Sequence, residues 1–280
     1  MAGWEGGDGD REVRTLNPSQ TNPRLRYEFD RGSGYETEIR LTTALSALIP
    51  EDELLHSDHR FFQIVHLLTE YCWVAVHHCL CDLTEALDRG DTIAAGRLLV
   101  RCADTAALTV ECLRVMANSL SQVSFLRMRD NLAGAASGLA SPGSRNVRRA
   151  AHAVWAAFES AAADAGATPA DLVEGTAPDT AATPRIAQLA DVMVGLQRFD
   201  TQVLEWKQVH LNLVWQMLGG QPRAADEEDE GAPGRPRSMR GRSISDLERL
   251  AVRPLFPKLW LQNTAVYRAM SAVAPEEEAA

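Results

Sequence analysis

No stretch of the 280 residues reaches the roughly 18 uninterrupted apolar positions that a bilayer-spanning helix needs, so no membrane partner is expected. Basic residues are too few for a general nucleic-acid surface. The 28 Lys and Arg stand against 38 Asp and Glu, and the net charge is −10. The opening stretch MAGWEGGDGDREVR has neither a basic leader nor an apolar run, so a secretory signal is not expected and the cytoplasm is the expected compartment. No alternating strand of useful length and no internal repeat is visible.

Disulfide frameworks and zinc fingers are equally hard to build. The five cysteines, Cys72, Cys79, Cys81, Cys102 and Cys112, are odd in number, include no CxxC pair and all lie in apolar helical sequence. Buried, reduced thiols are the expectation. The segment HHCLC (residues 77–81) matches no standard finger spacing, and on one helix its side chains fan over different faces. A dimetal carboxylate site would need Glu-x-x-His on each of two helices, which the sequence does not supply.

What is present is helical periodicity in a chain that is 45% hydrophobic, enough for a sizeable core. Residues 1–33, rich in Gly, Asp, Asn, Arg and Pro, read as a flexible N-terminal arm. Residues 34–275 read as one all-α domain. Ile39, Leu41, Leu45 and Leu48 mark a first helix that stops before Pro50. A second runs from a Ser57 cap to Gly90, and a third starts at Asp91. A shorter segment spans residues 122–132, and another helix residues 144–160. Residues 164–184 form a Pro/Thr/Ala-rich excursion around one weak turn. The long helix 185–218 follows. Residues 221–243, with the acidic block 226–230 and then Arg and Pro, read as a mobile loop inside the domain. The last helical pattern is broken at Pro254 and Pro257.

Two histidines sit mid-helix in apolar sequence, His66 in FFQIVHLLTEYCW and His210 in LEWKQVHLNLVWQML. Phe62 lies one turn before His66, and Trp206 one turn before His210, on the same helix face. Each histidine taken alone is more often a satisfied core residue than a ligand. Two inward imidazoles on two helices can also hold a planar iron cofactor between them. With no CxxCH, covalent attachment of such a group is not expected. Arg129, at a helix end, is suited to bidentate capture of a carboxylate, or to a surface pairing with Asp130.

Five blocks, in order, resemble the tryptophan 2,3-dioxygenase superfamily of all-helical haem enzymes: YETEIRLTTALSAL, HSDHRFFQIVHLLTEYCW, FLRMRDNLAGAASGLAS, EWKQVHLNLVWQMLG and LFPKLWLQNT, spread over most of residues 35–270. The resemblance implies haem b between helices and O2 as co-substrate. His210 would be the proximal iron ligand, and His66 the distal residue that takes a hydrogen bond from the substrate's indole N–H. Phe62 would pack on the indole, Arg129 would bind the amino-acid carboxylate, and Phe125 would stand where the family often has Tyr. Tyr35, Glu38 and Ile39 would come from the N-terminal helix of a neighbouring subunit, closing the pocket in a homotetramer.

The chain also departs from the family pattern. Glu38 replaces a pocket Tyr, and Leu139 and Ala140 replace the Phe-Gln of the Ser-Gly block. The Gly-Thr-Gly-Gly lid is absent, with residues 221–243 in its place. These departures favour a divergent secondary-metabolism member that adds one oxygen atom to the indole of tryptophan or a substituted tryptophan. The alternatives are C2–C3 cleavage to N-formylkynurenine, or a non-catalytic helical module whose haem site has decayed. Reduced, haem-supplemented protein is expected to show a Soret band perturbed by tryptophan or a β-substituted analogue; no Soret absorption would favour the decayed module.

Overall fold

A computed structural model describes residues 13–129, 131–132, 141–219 and 244–272. The expected mobile loop 221–243, together with Asp130, Leu139 and Ala140, lies outside them. The chain divides into two compact units, Met1–Ile64 and Val65–Ala280.

In the first unit, β1 (Arg14–Thr15) pairs antiparallel with β2 (Glu28–Phe29), with Arg14 opposite Phe29. Asn17 ties the intervening turn: its Nδ2 donates to the Leu25 carbonyl at 2.9 Å, and its Oδ1 accepts from the Tyr27 amide at 3.0 Å. Residues 13–33 of the expected arm thus carry a local hydrogen-bond network. The helix expected from Tyr35 to Pro50 is instead two short ones, α1 (Gly34–Glu38) and α2 (Leu41–Leu45), because Arg40 adopts a left-handed φ of 52°. Ile39, Thr42 and Thr43 are β-branched and have little helix propensity with which to resist the break. A capping box of Ser33 and Glu36 starts α1. Gln63 pins the stretch after α2, accepting from the Ile49 amide and donating to the Ala47 carbonyl, both at 3.0 Å.

The unit boundary falls within α3 (His59–Asp88), which starts two residues after the expected Ser57 cap; the Ser57 hydroxyl lies 3.4 Å from His56 Nδ1 instead. Gly90, at φ 72°, allows the tight turn into α4 (Thr92–Ser119), capped as expected by Asp91, whose side chain accepts from the Ala94 amide. After α5 (Gln122–Arg129) come α6 (Pro142–Asp164), α7 (Pro169–Glu174), on the expected weak turn, and α8 (Pro184–Leu218).

Long-range contacts give the bundle its register. Along α4 and α8, Thr92 meets Gln188, Leu99 meets Gly195, Arg114 meets Glu205 and Ala117 meets Gln216, so these helices run parallel. A Cβ at Gly195 would fall 2.9 Å from Leu99 Cδ1, so the close approach requires glycine. The start of α6 touches Glu70 and Trp73, and its later turns line a cleft with Leu87 and Asp88, so α6 runs parallel to α3. Within residues 65–280, α3, α4, α6 and α8 alternate up and down around a core centred on Trp73, Leu99, Phe158, Leu196 and Phe199. The described residues are overwhelmingly helical, as the sequence pattern predicts.

The chain then bends through residues 252–256 between α9 (Ile244–Ala251) and α10 (Pro257–Ala272), at the two prolines that interrupt the pattern. The fully buried Asp200 carboxylate on α8 fixes this bend. It accepts from the Leu255 amide at 2.8 Å, the Phe256 amide at 3.1 Å and Trp260 Nε1 at 2.9 Å. All five cysteines are free thiols, with Cys79 and Cys102 buried side by side. Cys81 is exposed, contrary to the expectation of burial, because it faces away from the α3 contacts that cover Cys79. Asp200→Ala would strand three buried donors and is expected to cost about 3–5 kcal/mol of unfolding free energy; urea denaturation of the full chain measures it, and a change below about 1 kcal/mol would show that the clamp is dispensable.

Candidate functional site

α8 carries the candidate site on its third-last turn. Trp206 and His210, four residues apart, stack with ring centroids 5.6 Å apart and planes 18° from parallel. Trp73 of α3 meets Trp206 edge-on, with ring centroids 5.3 Å apart. The stack on Trp206 fixes the plane of the imidazole. The ring opens on a cavity of about 260 Å³ whose apolar wall includes Trp73, Val147, Val203, Leu211 and Leu250.

α6 can reach this cavity only because residue 143 is glycine: a Cβ there would lie 2.5 Å from Trp73 Cβ and 2.7 Å from Glu70 Oε2. Glu70 accepts the Gly143 amide at 3.0 Å, and the Ser141 hydroxyl accepts the Ser144 amide at 3.0 Å. The first three turns of α6 thereby bring Ser141, Ser144, Arg148 and His152 to the cavity. Opposite them, the bend held by Asp200 brings in Arg253, Pro254 and Leu255.

His210 is half-buried, and its partial removal from water pushes its pKa down from 6.5 to about 4, with the nearby charge of His66 adding to the effect. His66 therefore lies within electrostatic reach of His210. Among the described residues no hydrogen bond reaches either His210 ring nitrogen. The group is a neutral imidazole with its nitrogen lone pair available, the form a metal takes. Lys207 follows Trp206 directly; burial lowers its pKa, the Arg148 charge lowers it further, and Asp200 opposes both. The Lys207 ammonium donates to the Arg253 carbonyl.

The other expected residues are placed as follows. Phe125 and Arg129 are half-buried on α5, whose first residue Gln122 donates to the Met217 carbonyl near the end of α8. Neither they nor His66 belong to the described lining of the His210 cavity. Tyr35, Glu38, Ile39 and Phe62 belong to the first unit. There Tyr35 and Ile39 are 72% and 45% exposed, Glu38 is also exposed, and Phe62 is half-buried. Trp73, Asp200 and the cavity cations Arg148, Lys207 and Arg253 were not picked out by sequence reasoning. Trp73 stands in the quoted HSDHRFFQIVHLLTEYCW block, whereas Arg148 and Arg253 carry no local signal.

Among the described residues no three His, Cys, Asp or Glu side chains converge on a metal ion. The arrangement offers one imidazole and an apolar, aromatic cavity with a cationic mouth. That donor set fits an iron porphyrin, which needs a single axial nitrogen, apolar walls for the ring and cations for its two carboxylates. The cavity is partly open to solvent on the side lined by the exposed Arg148 and Arg253. No protein-family model matches this chain, and no curated protein matches it.

Folded His210 binds a proton only near pH 4, whereas an unfolded histidine does so near pH 6.5. As pH falls through that window the unfolded state takes up the proton first, so stability is intact above 6.5 and drains away on the descent to 4. Haem-free protein should lose up to about 3 kcal/mol over this interval through His210, and His210→Leu should flatten the curve. A His210 ring titrating above pH 6 in the folded protein's NMR spectrum would contradict the burial argument.

Proposed function

We propose that this chain is a haem-dependent oxygenase that inserts oxygen from O2 into the indole of tryptophan or a substituted tryptophan, adding one atom to give a hydroxylated or oxindole product while a two-electron donor and two protons from solution take the second atom to water. The observation that carries the reading is His210: a neutral imidazole, stacked on Trp206, open to an apolar cavity and within electrostatic reach of His66. The five ordered blocks that resemble the tryptophan 2,3-dioxygenase superfamily support it, as does the all-helical fold.

The bound haem would supply O2 activation; the chain supplies position and dryness. His210 would hold the iron through a ring kept neutral by desolvation. The Trp73–Trp206 pair fixes the plane of that ring. His66 would accept a hydrogen bond from the indole N–H and so position the ring, and could shuttle that proton. Arg129 takes the substrate carboxylate as a bidentate pair, which orients the indole, and Phe62 and Phe125 cover its faces. Tyr35, Glu38 and Ile39 complete the pocket from a second copy in a homotetramer. The exposed Tyr35 and Ile39, and the exposed α3 residues Leu68, Tyr71 and Val74, support such an assembly.

Two measurements test the reading. His210→Ala is expected to abolish the ferrous spectrum and activity, with added imidazole restoring part of the spectrum; an unchanged spectrum without imidazole would remove His210 from the iron. With ¹⁸O-labelled O2 the product should carry one labelled atom and an intact indole-derived ring system. A ring-opened product with two labelled atoms would instead assign C2–C3 cleavage to N-formylkynurenine.

A further inference from the structure

The His210 cavity is apolar inside, yet its mouth is lined by three cations from three places in the chain: Arg148 on α6, Lys207 on α8 and Arg253 on the bend before α10. Their number is unexpected in a chain whose net charge is −10. Among the described residues neither guanidinium has an ion pair or a hydrogen bond, and the Lys207 ammonium meets only a main-chain carbonyl. Some other surface arginines do pair with carboxylates, as Arg114 does with Glu111 and Glu205 and Arg249 with Asp246.

Like charges converge at a cost unless an anion offsets them. Arg148 is close enough to Lys207 to disfavour its proton, and the nearest negative group acting on Lys207, Asp200, has its oxygens occupied by three donors. Further features of the same cavity favour a bound acid. The positive end of the 23-residue helix α6 reaches it through Ser141 and Ser144. Trp73, only 1% exposed, lines it with an indole N–H that has no acceptor, and the Trp206 N–H has none either. A buried donor left without an acceptor costs about 1–3 kcal/mol, and a polar ligand group can remove that cost.

We infer that Arg148, Lys207 and Arg253 form a dicarboxylate-binding mouth, and that on the haem reading, on which this rests, they hold the two propionate groups of haem and so set which edge of the macrocycle faces solvent. The chemistry matches in count and position. Arg148 and Arg253 are exposed at the rim, where the ionised propionates stay partly hydrated, and Lys207 sits deeper between them. The two arginines offer bidentate forks, and the lysine serves as a point charge shared by both acids. Asp200 acts as a positioning residue, because its clamp on Leu255 and Phe256 fixes the bend that presents Arg253.

The experiment is a Soret and tryptophan-fluorescence titration of haem-free full-length protein. The probes are ferric protoporphyrin IX and its dimethyl ester, which keeps the ring and iron but has no carboxylates. Wild-type protein should bind the diacid at least about tenfold more tightly than the ester. Arg148→Ala and Arg253→Ala should each weaken diacid binding by about tenfold and leave ester binding unchanged. The paired Lys substitutions should restore part of the loss, and circular dichroism should confirm that each variant is folded. Equal affinity for diacid and ester, or arginine variants that bind the diacid like wild type, overturns the inference while leaving the haem reading intact. Failure of the wild type to bind either porphyrin overturns the haem reading, and this inference with it.

Discussion

One buried carboxylate organises the functional end of the bundle. Asp200 lies inside α8 with no solvent contact, and three donors from one short stretch converge on it, two main-chain amides and an indole N–H. A buried charge is tolerated only where such donors replace water. The bend before α10 has two amides that would otherwise lack partners, since the neighbouring prolines prevent a continuous helix there. Each side thus satisfies the other, and the result is a fixed wall for the cavity on which His210 opens. Arg253, Pro254 and Leu255 line the cavity because this clamp holds them there.

The opposite wall depends on a steric condition. α6 approaches α3 only because Gly143 lacks a Cβ, and the contact turns the first two turns of α6, with Ser141, Ser144 and Arg148, toward the same space. Trp73 belongs to both arrangements: it packs beneath Gly143 and meets Trp206 edge-on, and Trp206 in turn stacks on His210. The imidazole is therefore positioned through packing alone. No second hydrogen bond orients it within the described residues, unlike the carboxylate or carbonyl partner that commonly orients a metal-binding histidine.

Much of the fold was legible from periodicity. Asp91 as a cap, the breaks at Pro254 and Pro257 and the long helix through His210 all have local causes, and local causes are written in neighbouring residues. The break at Arg40 was not legible, because a left-handed residue between two weak helical turns leaves no glycine to mark it. His66 and His210 were visible as candidates from their place in apolar helices. Arg148 and Arg253 looked like any surface arginine until the tertiary structure brought them to one cavity.

The sequence by itself determined the class of architecture and a short set of candidate residues, since the 3.6-residue period and the order of the blocks are properties of the linear chain. Only the tertiary structure decided that His210 faces a cavity, that its burial keeps it neutral, and that cations from three separated segments converge at the mouth of that cavity. Those facts depend on distances between residues some 50 to 110 positions apart, such as Arg148 and Arg253. Helical periodicity reports which face of a helix turns inward. It does not report what another helix places opposite that face, and it is the opposing groups that set charge, solvation and reach.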